Sequence, residues 1–136
     1  NNLWVGTYDN GLSLLAPSRY KFNHFSKPYI SKIQSLGFLS NDSILIGTMG
    51  QGTFLWDRKH NTTTALDTAV NPLVHKTALS IYFDRAHRIL WLGTWGGGLQ
   101  RINLIDHSVK TYKIDNSKIG SNTISKISAF GKYLWL

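Results

Sequence analysis

One phrase recurs in this chain and limits what it can fold into. An apolar run ends in Gly-Thr, three residues follow, a glycine appears, and another run begins. The phrase stands at Leu3-Trp4-Val5-Gly6-Thr7 to Gly11-Leu12, at Leu45-Ile46-Gly47-Thr48 to Gly52-Thr53, and at Leu90-Trp91-Leu92-Gly93-Thr94 to Gly98-Leu99. Tyr133-Leu134-Trp135-Leu136 begins it a fourth time. Two strands joined by a tight glycine turn would read this way. Gly6, Gly47 and Gly93 are separated by 41 and then 46 residues. A period of that length with short strands is the mark of propeller blades. Paired-helix repeats would carry a 3.6-residue period, and horseshoe repeats are shorter.

The most complete period shows four strands. Residues Thr77 to Asp84 alternate and then turn at Arg85-Ala86-His87. Arg88 to Thr94 is a near-continuous apolar run, suited to a strand covered on both faces. Gly98 to Asn103 and the more polar Ser108 to Ile114 complete the set, and Thr123 to Phe130 is predicted to open the next blade. The preceding period fits the same frame, at Ile30 to Leu39, Ser43 to Thr48, Gly52 to Trp56 and Thr62 to Leu66. No stretch carries helical period and caps. The expectation is an all-β chain of propeller blades, each of four antiparallel strands. It would comprise a partial blade over 1–26, blades over 30–66 and 77–114, and the start of another over 123–136. About three blades cannot close a ring of 4–8, so the chain is expected to be a piece of a longer one.

Composition narrows the class. The chain has 136 residues with 42% hydrophobic and 16% charged content, enough for a core and too little charge for disorder. It contains no cysteine, which excludes disulfides, thiolate nucleophiles and cysteine metal sites. No apolar run is long enough to span a membrane. Net charge is +8, from 15 Lys+Arg against 7 acids, all aspartate. That balance favours anionic partners. The basic residues are scattered, whereas nucleic-acid binding asks for a clustered face; no nucleic-acid partner is expected.

Leu-Trp-Leu-Gly-Thr-x-x-x-Gly-Leu, with an Asp- or Asn-bearing turn and an aromatic fourth strand, resembles the two-component regulator propeller repeat. Ser121-Asn122-Thr123-Ile124-Ser125-Lys126-Ile127 resembles that family's lead-in to a blade. The second copy departs, with Ile44-Leu45-Ile46 lacking the Trp and Thr53 replacing Leu. The resemblance implies a periplasmic or extracytoplasmic sensor segment of a hybrid two-component protein. Its parent would be membrane-anchored and homodimeric, with any histidine kinase lying outside this chain. The implied input is an oligosaccharide from a complex glycan.

No catalytic set stands out, and no cofactor or metal is expected. His24, His60, His75, His87 and His107 stand apart, without metal-ligand spacing. Asp57, Asp84 and Asp106 fall at strand ends, where Asp favours turns. Gly96-Gly97-Gly98 is not a phosphate loop, because no Lys-Ser/Thr and no helix follow. Asn41-Asp42-Ser43 and Asn61-Thr62-Thr63 match a glycosylation sequon but sit at turns.

The better candidates are the turns after Gly-Thr: Tyr8-Asp9-Asn10, Met49-Gly50-Gln51 and Trp95-Gly96-Gly97. In a propeller they share a face with the connections between blades. Aromatic rings accept the C–H side of a pyranose, while amides and carboxylates take its hydroxyls. Tyr8, Asp9, Asn10, Met49, Gln51 and Trp95 are therefore the candidate ligand residues. Tyr8, Met49 and Trp95 could instead pack between blades. Trp4, Trp91 and Trp135 are expected in the core, and Gly6, Gly47 and Gly93 where a side chain would crowd the next blade. Besides a non-catalytic glycan-sensing segment, two readings stand: structural or protein-docking blades with no ligand site here, and a propeller lyase or hydrolase.

Overall fold

The computed structural model describes residues 3–9, 11–16, 21–25, 29–66 and 75–136. Among the described residues it has thirteen strands, grouped in four antiparallel sheets. The first sheet is β1 (Leu3–Gly6), β2 (Leu12–Ala16) and β3 (Lys21–Phe25). The second is β4 (Ile33–Phe38), β5 (Ser43–Thr48), β6 (Thr53–Asp57) and β7 (Thr62–Ala65). The third repeats it with β8 (Ala78–Asp84), β9 (Ile89–Thr94), β10 (Leu99–Asn103) and β11 (Val109–Tyr112). A hairpin, β12 (Ser128–Phe130) and β13 (Tyr133–Trp135), follows. In the two four-stranded sheets each strand pairs only with its sequence neighbours, the meander of a propeller blade.

Strand alternation sends successive side chains to opposite faces, and each face finds a different neighbour. Ile44 and Ile46 of β5 pack with Leu12, Trp56 and Trp4, toward the first sheet. Leu45 packs with Leu90, Leu92 and Ile102 of the third. In turn Trp91 and Tyr112 join Leu99, Ile124, Ile127 and Leu134 on the far side of the third sheet. Trp4 and Trp91 thus occupy the core as expected. Trp135 does not: it is 61% exposed, because no further sheet lies against that face of the hairpin among the described residues.

At the glycine before each threonine, consecutive sheets approach too closely for a side chain. A methyl group on Gly6 would lie 2.6 Å from Ile33 Cγ2, and one on Gly93 would lie 2.6 Å from the Ile124 carbonyl oxygen. A methyl on Gly47 would collide with Ser35 Oγ and approach the Ala78 carbonyl. Ile33, Ala78 and Ile124 are the points where each following sheet begins to pack. Backbone bonds accompany the contact: Ile33 N–H donates to the Thr7 carbonyl at 3.3 Å and Ile124 N–H to the Thr94 carbonyl at 2.9 Å.

A bulge in each inner strand adds a second tie. The β4–β5 register slips between Ile33 and Ser35, and the β8–β9 register between Ala78 and Ser80. Ser35 Oγ then donates to the Ala78 carbonyl at 3.0 Å, and Ser80 Oγ accepts from Ile127 N–H at 2.9 Å. The segment predicted as a strand from Thr123 is strand only from Ser128. Ile33 pairs with Thr48 and Ala78 with Thr94, but the equivalent partner of Ile124 would fall past Leu136. Residues 123–127 lie on the third sheet instead.

Candidate functional site

The repeated phrase builds one turn three times. Thr7, Thr48 and Thr94 each direct both the backbone N–H and the hydroxyl to one carbonyl four residues on, that of Gly11, Gly52 or Gly98. The hydroxyl bonds are 2.9, 2.7 and 2.7 Å long. Closing so tight a loop puts Gly11, Gly52 and Gly98 at φ of 80°, 100° and 84°. L side chains rarely adopt that region, so glycine is required there.

These turns share a face with the inter-sheet connections, as expected. Gly50 and Gly52 N–H both donate to the Lys76 carbonyl, Met49 N–H to Lys32, and Gly98 N–H to Asn122. Gly96 N–H donates to Thr123 Oγ1 at 3.1 Å.

Two of the candidate residues come together across the first and second sheets. Tyr8 Oη reaches Met49 Sδ at 4.0 Å, and the Lys32 ammonium sits 5.8 Å from the centre of the Tyr8 ring. Tyr8 remains 51% exposed, so the contact leaves much of the side chain to solvent. Lys32 has φ of 51° with no glycine to permit it. Such outliers persist where surrounding structure holds them. Here the Lys32 carbonyl is held by Met49 N–H.

The other candidates are placed differently. Gln51 Oε1 is turned back onto Ser31, accepting from its N–H at 2.8 Å and its hydroxyl at 3.3 Å. Asp9 is exposed at the turn beside Tyr8. Trp95 is 60% exposed on the third sheet's turn, apart from the Tyr8–Met49 pair. Asn10 lies outside the described residues, as do most residues of the connections from Ser26 to Tyr29 and from Asp67 to His75.

Sequence reasoning missed Lys32 and His75. Lys32 immediately precedes the strand that packs on Gly6, and that position was the available signal. His75 N–H donates to Gln100 Oε1 at 2.8 Å, and its ring fills the space that a side chain on Gly97 would need. Asp57, Asp84 and Asp106 do serve turns, each carboxylate accepting a backbone N–H from His60, His87 or Ser108. The Asp57 and Asp84 carboxyls also bond the rings of those histidines, which holds both below the usual carboxylate range.

These sheets, stacked in chain order through their inner strands, are blades of a β-propeller. No protein-family model matches the chain, and no curated protein matches it in sequence. Solved structures do. The extracellular domain of BT4673 from B. thetaiotaomicron, assigned in separate structures to a one-component and a hybrid two-component system, superposes with TM-scores of 0.75 and 0.72. Each is 22% identical and covers 99% of this chain and 18% of that one. The extracellular domain of BT3049 from the same organism, assigned to a hybrid two-component system, gives a TM-score of 0.67 at 23% identity over 80% of this chain and 14% of its own. PorZ, a surface component of the type-IX secretion system of Porphyromonas gingivalis, gives 0.54 at 12% identity over 93% of this chain and 28% of its own. The chain therefore spans a small share of each, and these likenesses establish the fold.

Proposed function

We propose that this chain is a propeller segment of an extracytoplasmic two-component sensor of the two-component regulator propeller repeat family, and that its Gly-Thr turn face recognises an oligosaccharide without reacting with it. The observation that carries the reading is the convergence of Tyr8, Met49 and Lys32 from two sheets at one exposed point. An aromatic ring with a thioether beside it offers a sugar an apolar face, and the ammonium adds a charge partner. Asp9 flanks that point, Asn10 follows it in the sequence, and Trp95 extends the face one blade on. Lys32 and the +8 charge favour an oligosaccharide bearing carboxylate or sulfate. The match of fold to extracellular domains assigned to sensor systems supports the class and the compartment. On this reading the segments 1–26, 30–66, 77–114 and 123–136 are successive blades of a larger ring in a homodimeric, membrane-anchored parent. Any kinase lies elsewhere in it.

Calorimetry on the intact protein with neutral and acidic oligosaccharides tests the proposal. Tyr8→Ala is expected to weaken the tightest ligand about tenfold, the loss of one stacking contact of about 1.4 kcal/mol. Lys32→Gln is expected to weaken acidic ligands and spare neutral ones. Unchanged affinity in both Tyr8→Ala and Met49→Ala would move the site elsewhere. Failure of every oligosaccharide to bind would leave structural or docking blades as the function. Product release at catalytic rates would overturn the non-catalytic reading.

A further inference from the structure

The second and third sheets correspond residue for residue, and they differ beneath the Gly-Thr face. His75 stands three residues before Ala78, as Ile30 stands three before Ile33. Gln100 follows Leu99, opposite Gly93, as Phe54 follows Thr53, opposite Gly47. Gln100 pairs with Thr111, and Phe54 with Ala65. In the second sheet Ile30 is buried and Phe54 packs against the same core. In the third sheet these places hold a histidine, a glutamine and a threonine. Gln100 is 3% exposed, and a buried amide is costly unless bonded. Its Oε1 accepts from His75 N–H at 2.8 Å, and its Nε2 donates to Thr111 Oγ1 at 3.3 Å. Apolar side chains suffice for the fold at this place in the second sheet, so the polar set answers another need.

These bonds end on the His75 ring. Thr77 N–H lies 3.2 Å from His75 Nδ1 and can only donate, so Nδ1 carries the lone pair and the proton lies on Nε2. Among the described residues Nε2 has no partner, and the unpartnered side-chain atoms sealed from solvent there belong to Thr53 and Thr63. Nε2 is thus a donor open to the surface. The ring fills the space beside Gly97, two residues after Trp95. Two residues span about 7 Å at most. The Thr77 carbonyl also accepts from Trp95 N–H at 3.3 Å, so His75 and Trp95 are tied to one residue. The second turn closes differently. There Gln51 holds the place of Gly97, and its amide oxygen is bonded to Ser31. The third turn instead leaves a donor open beside an indole that is 60% exposed.

We infer, on the basis of the oligosaccharide recognition proposed for this face, that the Trp95 turn is a second sugar subsite with His75 as its specificity-determining residue. The His75 Nε2–H donates to a hydroxyl of a pyranose stacked on the Trp95 indole. Gln100 is a positioning residue that acts through the His75 main chain.

Calorimetry on the intact protein tests this, with the tetrasaccharides of β-1,4-glucan, β-1,4-mannan, β-1,4-xylan and α-1,4-galacturonan as probes. For the tightest of them, His75→Ile, the side chain the second sheet carries here, should weaken binding roughly three- to tenfold, the worth of one neutral hydrogen bond. Trp95→Ala should weaken it about tenfold. His75→Gln, which restores an N–H donor, should recover part of the loss. One monodeoxy form of that tetrasaccharide should bind His75→Ile as well as it binds the unaltered protein, because the hydroxyl served by Nε2 is gone. Gln100→Met should weaken the parent sugar and spare the same monodeoxy form. A loss in His75→Ile that is equal for every monodeoxy form would overturn the donor role. Undiminished binding in His75→Ile, with Tyr8→Ala still weakening it, would overturn the subsite and leave the oligosaccharide reading standing. Binding of none of the tetrasaccharides would overturn both.

Discussion

A methyl group at Gly93 would lie 2.6 Å from the Ile124 carbonyl oxygen and 2.9 Å from Ile124 Cγ2. The carbonyl is backbone and already accepts no slack from a flexible neighbour. Gly93→Ala is therefore expected to lower stability by about 1–3 kcal/mol, the usual cost of overpacking. Gly120→Ala, with nothing within 4 Å, should change urea unfolding little. Equal effects of the two would contradict the account of Gly93 as a packing contact. Thr53 makes the opposite case. It stands where the other copies have Leu12 and Leu99, it is fully buried, and its hydroxyl has no hydrogen-bond partner. Thr53→Val removes the unsatisfied group at constant shape, so a gain of about 1 kcal/mol is expected. A loss would mean that the hydroxyl has a role the packing does not reveal.

The Gly-Thr turn shows what was legible in the sequence and what was not. Its glycines could be read from register alone, because a left-handed position and a close approach each exclude a side chain. The strand pattern of residues 33–66 and 77–114 was legible for the same reason: period-two alternation records which face meets which neighbour. The Ser35 and Ser80 ties were not legible, since a serine in a strand says nothing about a bulge one residue earlier. Residues 123–127 were misread because the pattern of a first strand is present, while its pairing partner is not. At the candidate site, Tyr8 and Met49 were readable as variable turn positions. Their meeting with Lys32 was not, because it depends on a backbone angle that the residue type does not announce.

The Asp-Arg-x-His turns at Asp57 and Asp84 carry a pH dependence. His60 N–H donates to Asp57 Oδ1 at 3.1 Å, and its ring nitrogen lies 2.7 Å from Asp57 Oδ2. That side-chain bond raises the His60 pKa and lowers that of Asp57. The histidine's contribution is complete below the ordinary imidazole value near 6.5 and is lost as pH rises through its raised value. The aspartate's contribution is complete above the ordinary carboxyl value near 3.8 and is lost as pH falls through its lowered value. The pair thus acts fully in mildly acidic solution. By NMR, the His60 ring should titrate above 6.5 and return toward it in Asp57→Asn. Identical titrations in the two proteins would exclude the bond in solution. Both groups are solvent-exposed, so the turn should report pH without governing stability.

At the scale of the molecule, the chain is a series of sheets in which the segment leading into each following blade seats on the glycine of the sheet before it. Gly6 meets Ile33, Gly47 meets Ala78 and Gly93 meets Ile124. This step keeps every Gly-Thr turn on one face. Residues distant in sequence, such as Tyr8 and Met49, are thereby brought within reach of one ligand. The crystal structure of the intact protein with its tightest oligosaccharide tests this arrangement most directly. The account predicts a sugar ring against Tyr8 and Met49, with any acidic group directed to Lys32. A ligand bound with Tyr8, Met49 and Lys32 all left open to solvent would contradict it.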